Sequence, residues 1–216
     1  MGITLYQPAN IDMTNPSTNG GAISNAVIED GVLNNLFPDI LAIALEFGDE
    51  RWVKFFLKTT TDLSVLGICL GLSSFDNGDL VYLASGGATE TEADLDKANM
   101  RFYGAFNVSN YDAANKKVTA DRDVSEFVKI DDLVTFYDSD SNRVIAYEVQ
   151  NINSNEIIFK NVNSEVDISN CSGHSTIFYE ALTANTELGF WIKEVIEPYI
   201  LPNDISVFFN CLIWYE

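Results

Sequence analysis

From Arg51 to the last residue, apolar side chains recur with a period of two rather than with the helical period, and this constrains the fold more than any other feature. Val53, Phe55 and Leu57 alternate with Trp52, Lys54, Phe56 and Lys58, the pattern of a half-buried strand. Leu66, Ile68, Leu70 and Leu72 repeat it. An Asn77-Gly78 hairpin signal then leads into a short strand over 80–83. Residues 100–108 form a further run, with Phe102, Gly104, Phe106 and Val108 on one face, and 110–117 read as a polar linker. Short β segments follow around Phe127, 133–137, 144–149, 156–159 and 166–168, separated by Asp-, Ser- and Asn-rich turns. Such short strands with tight turns predict a small barrel or meander. Longer strands return at 176–181, 188–195 and 205–215.

The closing run is apolar on both faces. Ile205, Val207, Phe209, Cys211 and Ile213 share one, while Phe208, Leu212 and Trp214 share the other. A strand of this kind is covered twice, inside a sandwich or by a neighbouring subunit. The predicted fold is therefore mostly β: a β-sandwich, jelly-roll or Ig-like, from residues 36–110 and 176–216. A small β-barrel or meander subdomain over 111–175 is inserted between its strands. One or two short helices complete it, the clearest running from the Pro38-Asp39 start to a Gly48 stop. Residues 1–35 carry no core stripe and read as an extended arm. Its apolar residues Ile3, Leu5, Tyr6, Ile23 and Val27 join Phe208, Leu212 and Trp214 as candidate interface positions.

Charge narrows the partners. With 12 Lys and Arg against 32 Asp and Glu, the net charge is -20, a surface that repels phosphate backbones and argues against nucleic-acid binding. The N-terminus shows no signal peptide, and no apolar run is long enough to span a bilayer, so a soluble protein is expected. The hydrophobic fraction of 47% supplies a core without disulfide staples. Cys69, Cys171 and Cys211 are scattered; Cys69 and Cys211 lie in apolar runs and read as buried free thiols.

Catalytic patterns are sparse. The single histidine, His174, sits in Cys171-Ser172-Gly173-His174-Ser175 and reads as a solvated turn residue, with no orienting third group for a Cys–His pair. There is no Cys-x-x-Cys and no phosphate-binding glycine loop. Asp138, Asp140 and Asn142 have the spacing of a calcium loop, but Arg143 and Val149 stand where an EF-hand needs Gly and Glu. Turn chemistry accounts for the same residues more simply. For carboxylate chemistry the best candidates are Asp39, Glu46 and Asp49, which flank an apolar run and read as helix-end and turn residues. No enzyme activity and no cofactor are expected, a calcium site of another type at Asp138, Asp140 and Asn142 being the alternative left open.

Two segments carry a family likeness. Gly20-Gly21-Ala22-Ile23, then 33–39 (Leu-Asn-Asn-Leu-Phe-Pro-Asp) and 51–58 (Arg-Trp-Val-Lys-Phe-Phe-Leu-Lys), together with Gly189-Phe190-Trp191-Ile192-Lys193, resemble small structural proteins of contractile-tailed bacteriophages. A Lys193-Glu194 pair stands where that pattern has two basic residues, and 110–175 has no counterpart. The resemblance implies a non-catalytic virion subunit at the neck, collar, tail or capsid surface, assembled in the host bacterial cytoplasm. Its implied partners are other virion proteins and further copies of itself. A carbohydrate- or receptor-binding β-sandwich module is the competing expectation.

Overall fold

A computed structural model describes residues 2–29, 32, 36–37, 42–70, 80–138, 143–163, 165–196, 198 and 211–216. Of Ala42, Leu45, Leu80, Asp138, Arg143, Cys211 and Leu212 it describes the backbone alone. The chain folds into two facing sheets and a closed barrel. The first sheet has the order β2 (Gly20–Val27), β1 (Ile3–Asn10), β3 (Asp49–Thr59), β13 (Glu187–Ile196), β5 (Leu80–Gly86). The second places β4 (Leu63–Leu70) between β12 (Ile177–Leu182) and β14 (Cys211–Tyr215). The barrel runs β10 (Glu156–Phe159), β7 (Lys117–Ala120), β6 (Ala105–Asp112), β11 (Ser172–Ser175), β8 (Leu133–Asp138), β9 (Arg143–Asn153). The mostly β expectation of sandwich plus small barrel thus describes the molecule. A helix, α1 (Ala42–Phe47), ends where Gly48 turns to φ +78 and donates its N–H to Ala44 O.

Two cores result. Between the sheets, Val53, Phe55, Leu57, Leu66, Ile68, Leu83, Phe190 and Ile192 interdigitate, with Phe55 stacked on Phe190. The second core fills the barrel with Phe106, Phe136, Val149, Ile157 and Phe159, then continues without a break onto the outer face of the first sheet. There Trp52, Tyr82, Ala84 and Trp191 meet Phe102 and Phe127.

That continuity explains the first correction. Residues 51–57, expected to be half-buried, are buried on both faces, because barrel and loop cover the side that would otherwise meet water. The second concerns residues 1–35. Ile3, Thr4, Leu5 and Tyr6 pair with Thr59, Lys58, Leu57 and Phe56, so β1 is an interior strand and not an arm. Backbone pairing needs no long apolar stripe, and Ile3, Leu5 and Ile28 already pack on the inter-sheet core. The barrel begins at Ala105, and the expected linker over 110–117 is the hairpin joining β6 to β7. The Asn77-Gly78 turn and most of the closing run, including Phe208, lie outside the described residues.

Candidate interaction surface

In the second sheet, strand alternation and register decide which side chains face outward. Ile68 pairs with Ile177 and Ile213, and all three point into the inter-sheet core. Their neighbours must face away from it. Gly67 lies opposite Phe178 on one side and Trp214 on the other, so the three form one row across the outer face. The Phe178 and Trp214 rings meet edge to face at 5.8 Å between centroids. Trp214 lies flat enough over β4 that a Cβ at Gly67 would run into its indole. Both rings stay partly exposed. In the next row Val65 pairs with Glu180, and exchanges backbone hydrogen bonds with Glu216. Glu180 and Glu216 are exposed, which leaves an aromatic shelf with an acidic border.

A separate apolar patch is carried by α1. Ile43 and Phe47, one helical turn apart, are 64% and 67% exposed. These are the two most exposed large apolar side chains among the described residues.

Of the interface positions expected from sequence, Trp214 lies on the shelf. Leu212 belongs to β14, where its backbone pairs with Cys69 of β4. Ile3 and Leu5 face their own core instead. Tyr6, Ile23 and Val27 belong to β1 and β2, with Val27 49% exposed at the sheet edge. Phe178, Val65, Glu180 and Gly67 were not among those positions. The available signal was Phe178 itself, an aromatic at odds in alternation with Ile177 and Tyr179.

His174 is buried in β11, not solvated in a turn. Its Nδ1 lies 2.7 Å from Leu70 O, which can only accept, so Nδ1 carries the proton and Nε2 accepts from Ser172 Oγ at 2.7 Å. Burial pushes its pKa down to about 4. The bond to Leu70 O ties the barrel to the second sheet. Burial also pushes the neighbouring Cys69 thiol up to about 12, so it stays protonated, and Cys171 is likewise a buried free thiol.

Lys54 is fully buried on the outer face of the first sheet. Its ammonium donates to Gly21 O and Glu90 O, both at 2.9 Å, and sits 4.9 Å from the Phe56 ring centroid and 5.5 Å from that of Trp191. Desolvation pulls its pKa down to about 8. Asn19, also buried, donates to Trp52 O and Glu92 at 2.8 Å each. Together these bonds fasten the turn before β2 and the loop after β5 over the sheet. Nothing in the local sequence announced Asn19 or Glu90 as their partners.

Of the candidate carboxylates, Glu46 and Asp49 are exposed, and Asp39 lies outside the described residues, as do Asp140 and Asn142. Nearby Asp121 and Asp123 accept turn bonds from Asn107 and from Ser125 and Ser154. Among the described residues no three His, Cys, Asp or Glu side chains stand close enough to share a metal ion. No described helix is long and apolar enough to cross a membrane. Comparison with protein-family models, with curated proteins and with solved structures finds no match.

Proposed function

We propose that this protein is a non-catalytic structural subunit that works through its interfaces, in the setting its sequence resembles: the neck, collar, tail or capsid surface of a tailed-phage particle. The observation that carries this reading is apolar surface left open on a strongly acidic chain. Ile43 and Phe47 on α1 are more than half exposed, and the Phe178–Trp214 shelf adds a second patch. Adjacent exposed apolar side chains of this size mark interaction sites more often than bare surface. Other virion proteins and further copies of the chain are the proposed partners. Divalent cations would reduce the repulsion between copies that each carry -20.

Light scattering after gel filtration, with and without calcium, tests it. Self-association, or co-assembly with the other proteins of such a particle, is expected, and Ile43→Ser with Phe47→Ser should abolish it without unfolding the chain. A protein that stays monomeric, joins no particle and hydrolyses a polysaccharide would overturn the reading. The shelf also supports a second function, a carbohydrate- or receptor-binding module, because partly exposed aromatic rings on a sheet face suit stacking against sugar rings. A glycan screen read out on Trp214 separates the two.

A further inference from the structure

We propose that the outer face of the second sheet docks a basic segment of a partner protein, with an arginine or lysine head held over Trp214 and between Glu180 and Glu216. The inference rests on the assembly reading above and names the partner chemistry of one of its surfaces.

The geometry comes first. Phe178 and Trp214 flank Gly67 in one row, and the lack of a side chain there lets the indole lie down on the sheet. An indole lying this way turns its other face outward, and that face is the preferred seat for a cation. The next row, two residues along each strand and therefore about 7 Å away, holds Glu180 on β12 and Glu216 just beyond β14. A guanidinium over the ring is then within reach of a carboxylate on either side, while its aliphatic stem covers Val65.

The rest of the molecule shows the same chemistry completed from within. Trp52 has Lys97 at 4.8 Å and Lys193 at 5.8 Å from its ring, and Trp191 has Lys54 at 5.5 Å. Among the described residues no cation of the chain stands over Trp214, the third tryptophan. Nor has the chain a described cation to spare. Lys58, Lys97, Lys117, Lys160 and Lys193 pair with carboxylates, as do Arg51, Arg101 and Arg122. Lys54, Lys116 and Lys129 are held by backbone carbonyls. No described side chain supplies the shelf's cation, so the proposal takes it from another molecule. A second copy is a poor source, because it would bring another charge of -20 against two glutamates.

The test titrates the full chain with an acetylated, amidated arginine–glycine peptide at physiological ionic strength, following Trp fluorescence and calorimetry. A neutral serine–glycine peptide and a neutral oligosaccharide are run in parallel. Trp52 and Trp191 are buried, so Trp214 is the tryptophan that reports. Trp214→Leu keeps the charge and should weaken arginine-peptide binding about tenfold. Glu180→Gln with Glu216→Gln should do the same while taking the net charge only from -20 to -18. Neutralising two exposed carboxylates elsewhere, Glu46→Gln with Glu165→Gln, should change it less than twofold.

Equal losses from the two neutralised pairs would mean generic attraction to an acidic surface and overturn the proposal. So would no binding of the peptide, or a Trp214 response to the oligosaccharide alone. Because the glutamates are exposed, their variant keeps its fold if Trp214→Leu does not. Self-association through α1 is measured on the same samples. If it persists without peptide binding, the shelf assignment fails and the assembly reading stands; if both vanish, both fail.

Discussion

The two outer faces of the sandwich are built alike and finished differently. Each presents tryptophan beside smaller residues on antiparallel strands. On the first sheet Trp52 and Trp191 are 1% and 0% exposed, roofed by the barrel and by the loop after β5, with Lys54, Lys97 and Lys193 against their rings. On the second, Trp214 and Phe178 remain partly exposed with carboxylates at their border. The first face has become core, and the second has the composition of an interface. Exposure and the origin of the cation separate them, not side-chain chemistry.

The sharpest way to break this comparison is truncation. Trp191→Ala should cost about 3–5 kcal/mol in urea unfolding, because it opens a cavity in a close-packed layer and strips Lys54 of a ring. If Trp214→Ala costs as much, the second face is core as well, and the distinction collapses.

The joint between barrel and second sheet gives the next largest effect. His174 has its pKa near 4 in the folded protein, against about 6.5 when unfolded, so between these values the unfolded chain binds more protons. Its contribution is complete above about pH 6.5 and falls away toward pH 4, by about 3 kcal/mol in all. Urea midpoints of the wild type and His174→Gln across this range should differ in slope. Parallel curves would show that the imidazole is not sealed at the joint.

Lys54 sharpens the account of the covered face. Its folded pKa near 8 lies below the ordinary lysine value of 10.5, so stability should rise as pH climbs from 8 to 10.5, where the folded form sheds a proton that the unfolded chain keeps. Lys54→Met should remove that rise, read from the difference between the two pH profiles. The smallest effect belongs to the open face: Trp214→Ala should cost about 2 kcal/mol in the isolated protein, since its ring is partly exposed and its loss leaves no closed cavity.

Much of the strand plan was legible in the sequence. The alternation through 51–58, 66–70 and 188–195 corresponds to β3, β4 and β13, and the polar turns after Phe127 mark out a barrel. A short helix closed by Gly48 was equally readable. The candidate surface was legible only through Trp214, since its other members are ordinary strand residues until a register aligns them. Residues 1–35 and 166–168 misled for opposite reasons. β1 holds its place by backbone pairing along β3, which leaves little trace in side-chain pattern, whereas apolar Val166 and Ile168 fill the barrel from a coil.

By itself the sequence determined that the chain is mostly β, that it carries a large excess of negative charge, and that Trp214 alternates away from Ile213 in its strand. These are local properties, set by side-chain type and by the two-residue period of an extended backbone. Only the tertiary structure decided which sheet faces are covered, that Asn19 and Glu90 meet β3 and Lys54, and that His174 bonds to Leu70. Those contacts join residues 33 to 104 positions apart, so their existence depends on strand order and register, which no local window encodes.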